Sequence, residues 1–161
     1  MIFLFRCLIV LLIVPLALAA QKVGEKKSPT PAQIVFVCEH GAAKSIIAAS
    51  YFNKLASERG FPQRAIARGT QPDPTYAPSV IQGLKDDGLE IDKGKPVSVT
   101  DADLAAAMHV VTLGCKLPHP PPSTANVRAW DDISMVEGYS AARRAIVKRV
   151  EQLLNEINGR R

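Results

Sequence analysis

A run of four consecutive apolar residues, Ile34-Val35-Phe36-Val37, constrains the fold of this chain more than any other feature. Three of the four are β-branched, no polar residue alternates with them, and the run is too short for a typical helix. A strand of this kind is buried on both faces, which is typical of parallel sheets covered by helices on each side. Cys38, a loop of small residues and a helical pattern follow it. The pattern therefore predicts a strand–loop–helix unit of an α/β fold.

The rest of the sequence alternates between strand-like and helix-like segments. We predict further strands at 64–68, 109–113 and 127–130, an extended segment at 95–99, and helices at 45–57, 78–86, 100–107 and 138–158. Gly60, Gly88 and Gly114 end individual elements, and Thr100 with Asp103 forms a capping box at a helix start. Strands separated by helices imply right-handed crossovers. The expected fold is a three-layer α/β sandwich with a central four-stranded parallel sheet.

Residues 1–19 have the pattern of a signal peptide. An apolar run from Cys7 to Leu16 is followed by Ala17-Leu18-Ala19, which supplies the small residues required for cleavage before Ala20. The alternative is an uncleaved membrane anchor, although the run is short for a membrane span. Residues 20–32 contain prolines and charges without an apolar period, so we interpret them as a linker. These segments leave one globular domain at 33–159 and predict an exported protein.

The composition argues against several classes of protein. A net charge of +5 and an aromatic content of 6% favour binding of small anions over a stacking surface for single-stranded nucleic acid. Three cysteines are too few for a disulfide scaffold, and no spacing of cysteine and histidine indicates a metal or cofactor site. We expect a monomer that binds no nucleic acid, metal or cofactor. The solvent-exposed face of the last helix is predicted to carry Arg143, Arg144, Lys148 and Arg149.

The residues with catalytic potential are concentrated in the loop that joins the first strand to the first helix. Backbone N–H groups at a helix start form a cradle for an anion, and the helix dipole adds about half a positive charge. The same field favours the thiolate form of Cys38. Lys44 adds a full positive charge, and Ser45, which is also predicted to cap the helix, donates its hydroxyl to the thiolate. The alternative is that Cys38 is a buried structural cysteine. The candidate anion-binding residues are Glu39, His40, Gly41, Ala42, Ala43 and Lys44.

This loop resembles the C-x5-R-S loop of the low-molecular-weight protein tyrosine phosphatases and of the thioredoxin-coupled arsenate reductases that share their fold. The resemblance extends to Arg68-Gly69-Thr70, to Gly88-Leu89-Glu90-Ile91, to Thr100-Asp101-Ala102-Asp103-Leu104 and to Val110-Val111-Thr112-Leu113-Gly114-Cys115. It implies the phosphatase I-like fold, a nucleophilic Cys38, and a small oxyanion or a phosphorylated molecule as substrate.

Two catalytic positions depart from the family pattern. Lys44 stands where the family has arginine, and a lysine offers phosphate a point charge instead of a bidentate fork, so we expect weaker transition-state binding. The family's general acid is an aspartate that follows a position like Trp130 by four residues, and Ser134 occupies that position here. Asp131 and Asp132 are the neighbouring candidates for the general acid.

Three functions remain open on the sequence alone. The first is a phosphatase in which Cys38 attacks phosphorus and an aspartate protonates the leaving oxygen. The second is an arsenate-reductase-like redox enzyme, because Cys115 resembles the second cysteine of the reductases and implies a disulfide with Cys38 and a thiol reductant as partner. The third is an oxyanion-binding domain with impaired catalysis.

Overall fold

A computed structural model describes residues 33–91, 94–122 and 125–159 of the chain. Its elements in chain order are β1 (Gln33–Cys38), α1 (Lys44–Glu58), β2 (Arg64–Gly69), α2 (Pro78–Asp86), α3 (Asp101–Ala106), β3 (Ala107–Thr112), β4 (Asn126–Ala129) and α4 (Tyr139–Gly159). The predicted signal peptide at 1–19 and linker at 20–32 lie outside the described residues. Among the described residues, no helix combines the length and the apolar character needed to cross a bilayer.

The four strands form one parallel sheet in the order β2-β1-β3-β4. This arrangement confirms the predicted α/β class and the predicted four-stranded parallel sheet. Strand β1 lies inside the sheet between β2 and β3, and Ile34, Val35, Phe36 and Val37 are fully buried. Its continuous apolar sequence is explained by this position, because both of its faces are covered.

The side chains of β1 alternate between two cores. Ile34, Phe36 and Cys38 belong to the larger core, which contains the buried residues of α1 and α4. Val35 and Val37 belong to a smaller core on the other face, where α3 contributes Leu104. The fold is therefore three-layered, and the Cys38 side chain belongs to the face that α1 and α4 cover.

The start of α1 differs from the prediction. Ser45 does not cap the helix: α1 begins at Lys44, its N-cap residue is Ala43, and no side chain caps its first turn. The Ser45 side chain is instead fully buried. By contrast, the capping box predicted for Thr100 and Asp103 is present at the start of α3.

Element boundaries otherwise agree with the prediction to within about two residues, as is usual for helix and strand ends. The largest difference is at β3, which begins at Ala107 instead of residue 109. Ala107 is also the extended C-cap residue of α3, so the helix passes into the strand without a connecting loop. Within the predicted extended segment at 95–99, Ser98 forms an isolated parallel bridge with Gly69.

The sequence predicts that one face of α4 is exposed to solvent, but in the structure this face is not uniformly exposed. Arg143 pairs with Asp87, whose carboxylate also accepts hydrogen bonds from the hydroxyl groups of Tyr51 and Tyr139. Burial raises the pKa of the Asp87 carboxyl, but the hydrogen bonds from both tyrosines and the charge of Arg143 outweigh burial, so the pKa is lowered. The prediction was wrong for Arg143 because its partner lies 56 residues away in the chain.

Candidate active site

The loop between β1 and α1 is bound along one side by the chain that follows β2. Four of its carbonyl oxygens accept hydrogen bonds from backbone N–H groups of that segment, at 2.8–3.1 Å. The acceptor and donor pairs are Cys38 and Thr70, Glu39 and Gln71, His40 and Asp73, and Ala42 and Ala77. A trans peptide points its N–H away from its C=O, and the described residues contain no cis peptide bond. The N–H groups of the following residues therefore point away from this segment: Glu39, His40, Gly41 and Ala43. An anion cradle requires this orientation.

Two glycines allow the loop to approach the end of β2. Gly41 has a φ of +63°, and a Cβ at this position would lie 3.0 Å from the backbone nitrogen of Gly69. A Cβ at Gly69 would lie only 2.8 Å from the backbone nitrogen of Gly41. The two backbones are thus in contact where β1 and β2 both end, and a side chain at either position would push the loop away.

Cys38 is held against the first turn of α1. Its Sγ is 3.2 Å from Ser45 Oγ, to which the thiol donates a hydrogen bond. Only 3% of Cys38 is exposed, and Ser45 is fully buried. When the thiol loses its proton, the hydroxyl can reverse the bond and donate to the sulfur. The predicted interaction between Ser45 and the Cys38 thiolate therefore has the required geometry.

The ammonium group of Lys44 reaches the chain segments that follow β3 and β4. Its Nζ donates to the carbonyl oxygen of Ile133 at 3.3 Å. It also lies 3.0 Å from the point where a Cβ at Gly114 would be placed. Lys44 thus places a positive charge near the loop, with its end fixed between the chain after β3 and the chain after β4.

The two candidate general acids lie in different surroundings. Asp131 lines a cavity of about 550 Å³ together with Cys115 and Glu39. Asp132 instead accepts hydrogen bonds from Arg149 at 2.6 and 2.7 Å on the exposed surface of α4. The structure therefore separates the candidates that the sequence left equivalent, and Asp131 is the one that faces the cavity.

The second thiol lies beside the end of β1. Cys115 Sγ donates to the carbonyl oxygen of Val37 at 3.4 Å, and Val37 immediately precedes Cys38. The chain places Cys115 there because the amide of Leu113 also donates to the Val37 carbonyl oxygen, at 2.8 Å. Burial raises the pKa of the Cys115 thiol. Both thiols are free in this structure.

The side chains of Glu39 and His40 are directed outward. More than half of each is exposed, at 57% and 56%. His40 Nδ1 lies 3.2 Å from the Asp73 carboxylate, and Nε2 lies 3.8 Å from that of Glu39. These residues can therefore contribute backbone N–H groups to the cradle while their side chains remain in solvent.

Sequence reasoning missed several residues that line the cavity, namely Thr70, Gln71, Gly114 and Lys116. They follow the ends of β2 and β3, and ligands of open α/β sheets bind at the carboxyl ends of the strands. This rule could have identified these residues from the sequence, because the strand ends were predicted closely. No group of three or more histidine, cysteine or carboxylate residues in the described part of the chain could hold a metal ion.

Comparisons with known proteins identify one family to which the chain is similar. The sequence profile described as low molecular weight phosphotyrosine protein phosphatase matches residues 33–151. No curated protein sequence shows significant similarity to the chain.

Solved structures share the fold. A thioredoxin-dependent arsenate reductase from Corynebacterium glutamicum has a TM-score of 0.73 at 24% identity over 84% of this chain, which spans only 66% of that reductase. YfkJ from Bacillus subtilis has a TM-score of 0.69 at 16% identity, covering 81% of this chain and 97% of its own. A low molecular weight protein tyrosine phosphatase from T. tengcongensis has a TM-score of 0.64 at 16% identity, covering 78% and 99%. At these identities the structural matches establish the fold alone.

Proposed function

We propose that this chain, which belongs to the low molecular weight phosphotyrosine protein phosphatase family, is an enzyme that uses Cys38 as a nucleophile on a phosphate or arsenate oxyanion. The observation that carries the proposal is the 3.2 Å contact between Cys38 Sγ and Ser45 Oγ at the start of α1. A hydroxyl donor and the backbone N–H groups of a helix N-terminus can stabilise an anionic sulfur, which is the nucleophilic form of cysteine. The outward N–H groups of the loop supply donors for the oxygens of the oxyanion.

The first candidate reaction is hydrolysis of a phosphomonoester. The Cys38 thiolate attacks phosphorus, an S–P bond forms, and the bond from phosphorus to the leaving oxygen breaks. Asp131 is the acid that protonates this oxygen, because it lines the cavity whereas Asp132 is paired with Arg149. Water then attacks the phosphocysteine, releasing phosphate and restoring the thiol.

Arsenate reduction is the second candidate, and the position of Cys115 favours it. Cys38 would form a covalent adduct with arsenate, releasing water. The Cys115 thiolate would then attack the Cys38 sulfur, the electron pair of the S–As bond would pass to arsenic, and arsenite would leave. The enzyme would hold a disulfide, which a dithiol reductant must reduce. The 3.4 Å contact of Cys115 Sγ with the Val37 carbonyl places this thiol one residue from Cys38 along β1.

One set of assays distinguishes these reactions. The purified protein is tested with a phenyl phosphate, and separately with arsenate and a dithiol reductant, next to its Cys38→Ser and Cys115→Ser variants. A phosphatase loses activity only in Cys38→Ser, whereas a reductase loses it in both variants. Undiminished turnover in Cys38→Ser would contradict the proposal. Oxyanion binding without turnover of either substrate would leave an oxyanion-binding domain in place of an enzyme.

We also propose that the chain is exported and acts as a monomer. The motive for export is the apolar run that ends in Ala17-Leu18-Ala19. N-terminal sequencing of the protein recovered from outside the cytoplasm should begin at Ala20. A protein that still begins at Met1 would support the membrane-anchored alternative.

A further inference from the structure

The side chain of Lys44 connects the catalytic loop to the region of the second thiol. Lys44 is the first residue of α1, yet its Nζ donates to the carbonyl oxygen of Ile133, 89 residues further along the chain. The same nitrogen lies 3.0 Å from the position of a Cβ at Gly114, the residue directly before Cys115. The ammonium is thus packed on the backbone that leads into Cys115.

Gly114 is the residue that makes this approach possible. Its φ of +71° is in the left-handed region, and a Cβ there would contact the Lys44 ammonium. Gly88 offers a comparison, since its φ is also +71° but no heavy atom lies within 4 Å of its Cβ position. An alanine would meet the same backbone strain at both positions, and it would displace the ammonium only at Gly114.

The charges around Cys115 oppose one another. Burial raises the pKa of this thiol, and a backbone hydrogen bond with Leu113 lowers it. Among the charged groups, Cys38 and Asp131 raise the pKa further, whereas Lys44 lowers it. Glu39 and Lys116 belong to the same cavity wall and carry opposite charges. Lys116 is exposed, so solvent screens its charge, while Lys44 is partly buried.

We propose that Lys44 is a positioning residue for Cys115: its ammonium, fixed between Gly114 and Ile133, stabilises the thiolate of the second cysteine. The inference rests on the proposed function, in which Cys115 must be a thiolate to attack the Cys38 sulfur. Lysine suits this task, since its charge is compact and its stem is flexible.

The test is the pH profile of Cys115 alkylation by iodoacetamide in full-length Cys38→Ser protein. Mass spectrometry of the peptide that contains Cys115 reads its modification separately from that of Cys7. Adding Lys44→Met should move the midpoint of the profile upward by about one pH unit, which means about tenfold slower alkylation on the rising part of the curve. Lys116→Met is the matched control and should leave the midpoint nearly unchanged.

Gly114→Ala provides a second route to the same result. It should slow Cys115 alkylation in the same direction, whereas Gly88→Ala should lower the stability of the protein by a similar amount without changing the profile. An unchanged midpoint in Lys44→Met, or an equal shift in Lys116→Met, would overturn the inference. The measurement involves no turnover, so its outcome is independent of whether Cys38 proves to be the nucleophile.

Discussion

The Cys38 thiol and the Ser45 hydroxyl lie 3.2 Å apart in the interior of the protein, one at the end of β1 and the other in the first turn of α1. A buried sulfur that becomes charged needs a donor, because water cannot replace it. Ser45 supplies this donor, although residue propensity alone assigns it to the N-cap of the helix.

Replacing Ser45 by alanine should therefore lower the rate of Cys38 chemistry. Hydrogen bonds to charged groups contribute about 1.5–3 kcal/mol, which corresponds to about a ten- to hundredfold fall in kcat with phenyl phosphate. Ser57→Ala removes an exposed hydroxyl from the same helix and serves as the control. Equal kcat values for the two variants would show that Ser45 is only a packing residue.

Asp131→Asn should reduce the hydrolysis of phosphate esters by about a hundredfold or more, since general acids contribute 10²–10⁴-fold. The effect should be largest for esters with basic leaving groups, which depend most on protonation. Asp132→Asn should change kcat little and cost at most about 1 kcal/mol of stability, because it only removes an exposed ion pair with Arg149. Rates across a series of phenyl phosphates measure both variants, and the reverse ranking would assign the acid to Asp132.

Lys44→Arg should raise kcat/KM for a phosphomonoester, because a guanidinium donates two parallel hydrogen bonds to the equatorial oxygens. We expect a gain of about tenfold, equivalent to about 1.4 kcal/mol. Steady-state kinetics of the variant and the parent protein measure it. A fall in kcat/KM would contradict this prediction and would mean that the site is shaped around lysine.

Asp87 should make the stability of the protein sensitive to acid. Its pKa is lowered in the folded state, so its contribution is fully present above the unfolded pKa of about 4 and is lost as the pH falls through the folded value. Asp87→Asn should cost about 2–3 kcal/mol of unfolding free energy at neutral pH, and less in acid. Urea unfolding between pH 7 and about pH 3 measures this.

Asp86→Asn is the matched control for that experiment, because Asp86 is exposed and its carboxylate accepts a hydrogen bond from Gln82 on the same helix. A cost for Asp87→Asn that stays constant with pH would contradict the account of the cluster.

The sequence was sufficient to predict the fold class. The apolar run at 34–37 predicted a strand buried on both faces, and the small residues after Cys38 predicted a loop that leads into a helix. Both inferences depend on local pattern. The structure confirms the four-stranded parallel sheet.

The details of the site depend on contacts between distant parts of the chain, which local pattern does not contain. Ser45 has the propensity of a cap, but its hydroxyl is bound to Cys38. The sequence predicts a positive charge at Lys44, but it does not show that the ammonium donates to the carbonyl oxygen of Ile133, which is distant in the chain. Asp131 and Asp132 are equivalent in sequence, and the structure distinguishes them because Asp131 lines the cavity whereas Asp132 is paired with Arg149 on α4.

Direct trapping of the covalent intermediate tests the central claim that Cys38 is the nucleophile. The protein is mixed with a phenyl phosphate, quenched in acid during turnover and digested, and its peptides are examined by mass spectrometry. We predict one added phosphoryl group on the peptide that contains Cys38, and none on the peptide that contains Cys115. Turnover with no phosphoryl group on Cys38, or with the group on another residue, would contradict this account.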